Sequence, residues 1–190
     1  MRLLFEMDAK DYDPDGKAFS RPSARGIIIR DDTGIYKADV GIRDGKIAMV
    51  HSLKYDYYKF PGGGIEKGES PEQTLQREVA EEAGLQVIPQ SIREYGLVHR
   101  VQKGEKGDVF VQDNYYFLCD AEAEIHLQHL DDYESEEGFT LEFVDPACAI
   151  HRNRYVDHGP KDQIMLEREA KVLEMLMEEG LVKKGVLSEG

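Results

Sequence analysis

Short apolar runs rich in β-branched residues recur along the first half of the chain, bounded by Gly, Asp or Pro. Residues 2–7, Gly26–Arg30 (with Ile27, Ile28 and Ile29 in a row) and Lys46–His51 therefore read as strands. Asp44-Gly45 between two such runs predicts a hairpin that pairs Ala38–Ile42 with Ile47–Val50 and leaves Asp31–Lys37 as a loop. Further on, Ile92–Val101 and Val109–Leu118 read as strands flanking the polar loop Gln102–Asp108, and Phe139–Val144 adds one more.

Two segments change to a helical period. Over 71–83, Leu75, Val79 and Ala83 share one face; Ser70 is placed to cap the segment, Pro71 suits the first turn, Gln73 completes a capping box and Gly84 suits the left-handed stop. Over Lys161–Glu179, Ile164, Val172, Leu173, Leu176 and Met177 form a stripe that suits the sheet, or a second copy of the chain in a homodimer. Strands on both sides of one central helix, followed by a terminal helix, predict an α+β layering rather than a regular parallel alternation.

Length and charge narrow the function. At 190 residues the chain suits one domain, 1–190, with a core that needs no staples. A net charge of −14 argues against nucleic acid polymers as partners, because their binders carry basic patches, and leaves a small phosphorylated ligand held through a metal compatible. Cys119 and Cys148 lie far apart in apolar stretches and read as reduced, buried thiols. No run reaches the ~20 apolar residues of a membrane span, and the opening Met-Arg-Leu-Leu-Phe lacks a signal-peptide core, so the expected location is cytoplasmic.

The most informative chemistry lies on the first helix. Glu78, Glu81 and Glu82 fall on a band beside its apolar stripe, and Glu78 and Glu82 repel each other at i, i+4 with only Arg77 in reach of Glu81. A divalent cation offsets such repulsion, and hard carboxylate oxygens suit Mg²⁺ or Mn²⁺. Gly62, Gly63 and Gly64 precede the helix and free the backbone to face a ligand, with Glu69 closing the loop.

Gly63, Glu69, Arg77-Glu78, Val79, Glu81-Glu82, Gly84 and Leu85 match the Nudix box without a gap, and over 63–85 the chain resembles the Nudix, or MutT-like, hydrolases. The resemblance implies an α/β/α sandwich with a mixed sheet between helices. It also implies hydrolysis of a nucleoside diphosphate linked to another group, by metal-activated water. By resemblance, Gly63, Glu78, Glu81 and Glu82 would hold Mg²⁺ or Mn²⁺, Arg77 would orient the carboxylates, and Glu81 would act as base with Glu137 in reserve. The small nucleotide expected as substrate is a nucleoside triphosphate, oxidised ones included, ahead of nucleotide sugars and dinucleoside polyphosphates. A nucleotide sensor without turnover is the non-enzymatic alternative.

Other candidates are weaker. Tyr58, among Tyr55, Tyr57 and Phe60, is placed to stack a base, although strand alternation sends half of these rings to the core. Arg100 and Lys103, with His99 and Lys106, form a local basic group able to hold phosphate. Asp11-Tyr-Asp13-Pro-Asp15-Gly16 opens like an EF-hand loop, but Pro22 stands where a bidentate Glu is required, so it reads as a plain turn. The six histidines show no metal-ligand spacing beyond the isolated pair His126 and His129.

Overall fold

The computed structural model describes residues 1–31, 45–104 and 108–182. The expected strand Ala38–Ile42, most of the loop before it, and Lys106 lie outside the described residues. In chain order the elements are β1 (Leu3–Asp8), β2 (Ala18–Ser20), β3 (Ser23–Ile27), β4 (Ile29–Asp31), β5 (Gly45–Ser52), β6 (Tyr57–Lys59), β7 (Gly62–Gly64), α1 (Pro71–Ala83), β8 (Leu85–Val87), β9 (Arg93–Lys103), β10 (Val109–Leu118), β11 (Ala121–Ile125), α2 (Asp132–Glu137), β12 (Phe139–Val144), α3 (Pro146–Tyr155) and α4 (Gln163–Glu178).

The main sheet is mixed, in the order β1-β9-β10-β3-β7 with β2 also on β10. β1 runs parallel to β9, and β3 parallel to β10, while β9–β10 and β3–β7 are antiparallel. A second, antiparallel sheet has the order β12-β5-β4 with β6 on β5. The isoleucine run expected as one strand is divided between them: β3 ends at Ile27 and β4 starts at Ile29. The division follows from burial on both sides. Ile27 and Ile29 pack with Ile47, Met49, Ala170 and Leu173 beneath α3 and α4, whereas Ile28 packs with Ala24, Ala48, Leu75 and Val79 beneath α1. Strands covered on both faces read as continuous apolar runs, which hides the break.

Helix α1 forms where the sequence predicts it. Ser70 Oγ accepts from Gln73 N at 3.2 Å and Gln73 Oε1 accepts from Ser70 N at 2.8 Å, closing the capping box. Gly84 ends the helix at φ 65°, where a Cβ would stand 2.2 Å from His126 O. Gly26 lets α1 lie close on β3, since a Cβ there would meet Val79 Cγ2 at 3.0 Å. Helix α3 goes unread in the sequence, although Asp145, whose side chain accepts from Ala147 N at 2.8 Å, and Pro146 mark its start. Cys148 lies on this helix and is exposed, not buried as expected; Cys119 is buried, and burial pushes its thiol up to about 12. The Asp11–Gly16 segment is a turn in which Asp13 Oδ1 accepts from Asp15 N at 3.0 Å.

Leu75→Ala should cost about 2–5 kcal/mol, because Leu75 is fully enclosed between α1 and the sheet. Urea unfolding is the measurement, with a lowered midpoint and unchanged slope as the expected result.

Candidate active site

The segment Phe60–Gly64 leaves β6 and passes between β3 and α1 with almost no room. Gly62 has φ 142°, and a Cβ there would stand 2.1 Å from Ala24 O. At Gly63 a Cβ would stand 2.3 Å from Glu78 Oε2, and at Gly64 it would stand 2.9 Å from Arg21 Nε. The glycines therefore bring backbone directly against a carboxylate of α1 and a guanidinium at the end of β2.

Arg77 organises the carboxylates around it. Its Nε and Nη2 donate to the two oxygens of Glu69 at 2.8 and 2.9 Å, while Nη1 donates to Glu78 Oε1 at 2.7 Å and Glu81 Oε2 at 3.1 Å. The Arg77 guanidinium, with Thr74 donating at 2.7 Å, holds the Glu69 carboxyl down at about 2. Glu82 is almost wholly buried; Lys59 Nζ donates to its Oε1 at 2.5 Å and Gly62 N to its Oε2 at 2.9 Å. Glu78 is pushed upward by burial, against the pull of Arg77.

A cavity of about 380 Å³ opens here, with Glu66, Glu78, Glu81, Glu82, Asp131 and Glu134 facing Arg21 and Arg77. Among the described residues, no three acidic, His or Cys side chains already stand at metal-ligand spacing. The reason is charge compensation: Arg77 Nη1 draws Glu78 and Glu81 to one side while Lys59 holds Glu82. The donor set still fits a hard divalent cation, since several carboxylates border one small cavity and Gly63 leaves the space that a Cβ would take from Glu78.

Glu134 was missed as a site residue. Burial, then the nearby Glu82, pushes its carboxyl upward, and its oxygens accept from Asp131 N at 2.9 Å and Tyr133 Oη at 2.8 Å. The acidic run Glu134, Glu136 and Glu137 ahead of β12 is the local signal that could have pointed to it. Glu137 sits instead in a separate buried network, accepting from Tyr57 Oη at 3.0 Å, Ser52 Oγ at 3.2 Å and Lys161 Nζ. It does not border the carboxylate cavity, which corrects its expected reserve role. The α-helical period of α2 places residues 134 and 137 on one side, but Glu137 turns toward β5 and β6.

A second cavity, of about 690 Å³, shares Arg21 with the first and adds Arg25, Arg100, Lys103 and Arg168, with Phe19 and Phe110 at 6.2 Å between ring centroids. Arg100 and Lys103 thus border a basic cavity, and Arg100 pairs with Asp162. His99 pairs with Asp113 at 2.7 Å and borders neither cavity. Tyr58 does not reach either one: it is buried, stacked on His51 at 4.4 Å, and donates to Glu142 Oε2 at 2.8 Å. Tyr57 and Phe60 are likewise core, so the aromatic group before the glycines serves packing. Phe19 and Phe110, separated by most of the sheet in sequence, left no local signal.

The sequence profile of the NUDIX domain matches residues 21–162. The chain belongs to the NUDIX domain family. Among curated relatives, an RNA pyrophosphohydrolase of Acinetobacter baylyi is 33% identical over 111 residues, covering 51% of this chain and 66% of the relative. One of Yersinia pestis is 35% identical over 113 residues, covering 52% and 64%, and one of Proteus mirabilis 44% over 59 residues, covering 29% and 33%. The chain thus spans about one third to two thirds of the length of these relatives. The MutT of Bacillus halodurans superposes with a TM-score of 0.51 at 20% identity, covering 77% of this chain and 80% of that one. A MutT structure from work on the Aliivibrio salmonicida and Vibrio cholerae proteins gives 0.50 at 19%, covering 85% and 99%. At these identities the structures bear on the NUDIX fold alone, a mixed sheet between helices.

Gly63→Ala should leave a folded protein with displaced Glu78, since the added methyl would fall inside the carboxylate. Titration calorimetry with Mn²⁺ should show affinity reduced by about tenfold or more, the range seen when a supporting contact of a metal site is lost.

Proposed function

We propose that the chain is a divalent-metal-dependent pyrophosphohydrolase that cleaves a diphosphate bond in a nucleoside diphosphate linked to another group. The observation that supports this best is the junction of the two cavities at Arg21, one rich in carboxylates and the other in cations. A polyphosphate laid across it would have its terminal groups among the carboxylates and its nucleoside near Phe19 and Phe110.

Glu78, Glu81 and Glu82, with the Gly63 carbonyl, would hold Mg²⁺ or Mn²⁺, which supplies an acidified water and neutralises phosphoryl oxygens. Arg77 would keep its two-point grip on Glu69 and release only the Nη1 contacts to Glu78 and Glu81. Arg21 and Arg25 would meet the substrate's negative oxygens. Arg25 Nη1 already donates to the carbonyls of Phe60 and Gly62, and its buried Nε has no acceptor among the described residues. Glu81, the most exposed of the three helix carboxylates, would take the proton from water, and Glu134 across the cavity is the reserve in place of Glu137.

A small nucleoside triphosphate is the first substrate class, oxidised forms included, since the overall charge of −14 disfavours a polyanion. The similarity to RNA pyrophosphohydrolases favours a second reading, the 5′-triphosphate end of RNA. Product analysis with Mg²⁺ or Mn²⁺ separates these: pyrophosphate is released from nucleoside triphosphates or a 5′-triphosphorylated oligoribonucleotide, a nucleoside monophosphate and a sugar phosphate from nucleotide sugars, and two nucleotides from dinucleoside polyphosphates. Tight nucleotide binding with no release from any of them would instead establish a sensor.

Glu81→Gln should lower kcat by roughly 10²–10⁴, the usual contribution of a general base, while Glu137→Gln should affect stability more than rate. A drop in kcat for Glu134→Gln with Glu81→Gln near wild type would transfer the base to Glu134. Burial pushes the Glu78 carboxyl upward, so protons compete with a cation for it and Mn²⁺ affinity should weaken as pH falls, which titration calorimetry across pH reads. An Mn²⁺ affinity independent of pH would contradict the assignment of Glu78 as a ligand.

A further inference from the structure

The backbone of Phe60–Gly62 is held at every polar group by another part of the molecule. Phe60 N donates to Glu169 Oε2 at 2.8 Å, Pro61 O accepts from Gly26 N at 2.9 Å, and Gly62 N donates to Glu82 Oε2 at 2.9 Å. The carbonyls of Phe60 and Gly62 both accept from Arg25 Nη1. Two of these supports belong to β3 and one to the box helix, as expected for neighbours. Glu169 is different: it comes from α4, more than a hundred residues further along, and is fully buried.

A buried carboxylate carries a large desolvation cost unless charges and donors surround it. Around Glu169 they do: its Oε1 accepts from Arg168 Nε at 2.7 Å and Nη2 at 2.5 Å and from Tyr116 Oη at 3.2 Å, leaving Oε2 for Phe60 N. Arg168 in turn donates to Asn114 Oδ1 at 2.6 Å and Gln112 Oε1 at 3.2 Å and forms part of the basic cavity's wall. One oxygen is thus committed to the basic cavity and the other to the strand that delivers the glycines. An apolar side chain would fill this place at less cost if packing were its only purpose.

We propose that Glu169 is a positioning residue for the carboxylate cavity: through Phe60 N it fixes where Gly62 and Gly63 stand relative to Glu82 and Glu78. The consequence matters because the tolerance is small, a Gly63 Cβ having no room beside Glu78. The inference rests on the hydrolytic reading for its functional meaning, but its structural part does not require a metal.

The test uses the full chain with Glu169→Gln, Glu169→Asp and, as control, Leu173→Ala, which empties the core cluster that Phe60 shares but leaves the hydrogen bond from Phe60 N to Glu169 in place. In Glu169→Gln the carboxamide has only one oxygen; Arg168 claims it, and the NH₂ group faces Phe60 N, donor against donor. Glu169→Asp keeps the charge and so the fold, but its shorter arm withdraws from Phe60. In both variants, amide hydrogen exchange at Phe60 and Gly62 should accelerate by about tenfold, and Mn²⁺ affinity in titration calorimetry should fall by about tenfold, the scale of lost outer supports in metal sites. Leu173→Ala should lower the melting temperature while leaving Mn²⁺ affinity unchanged. Wild-type exchange at Gly62 in a folded Glu169 variant, or an equal loss of Mn²⁺ affinity in Leu173→Ala, would overturn the proposal. If the wild-type chain takes up no Mn²⁺, the hydrolytic reading fails, and the exchange comparison alone still decides the positioning role.

Discussion

The constraint on which the site depends is steric: Gly62 stands so close to the backbone of Ala24 that no side chain fits there, and Gly63 meets the carboxylate of Glu78, which any side chain at 63 would displace. Once Gly62, Gly63 and Gly64 satisfy it, the backbone stands in contact with Glu78 on one side and Arg21 on the other. The placing of α1 follows from the same crowding, because Gly26 lets Val79 and Leu75 settle onto the sheet and the helix then presents its acidic band to the glycines. The apolar and acidic faces of α1 are therefore two results of one packing decision.

Charge is then distributed so that the crowded carboxylates survive. Arg77 is committed to Glu69 through two donors and to Glu78 and Glu81 through a single nitrogen, so its charge is divided unevenly among the three carboxylates. Lys59 and Gly62 N hold Glu82, which is almost wholly buried, with one donor to each of its oxygens. Glu82 thus belongs to the interior as much as to the cavity.

What the sequence disclosed was whatever is local. The caps of α1 and its apolar stripe at Leu75, Val79 and Ala83 act between residues a few positions apart and are readable; the glycine run is readable as a run, although what it meets, Ala24 and Glu78, lies farther along the chain. What it concealed was which of two cores a residue serves. The run Ile27-Ile28-Ile29 looks like one strand because a chain buried on both faces shows no alternation, yet its members feed different sheets. Tyr58 and Glu137 failed for a related reason: a ring or carboxylate near a site in sequence is claimed by whatever partner the fold brings up, here Glu142 and His51 for one and Tyr57, Ser52 and Lys161 for the other. Glu134 and Glu169 could be found only once distant segments were brought together.

The basic cavity is set in a protein of charge −14, which gives an approaching anion two opposing fields. Within a Debye length of the surface, about 10 Å at 0.1 M ionic strength, the excess acid repels it; at the mouth the clustered arginines draw it in. Modest salt screens the first force before the second, so collision rates rise with ionic strength at first and decline only when the short-range pull is also weakened.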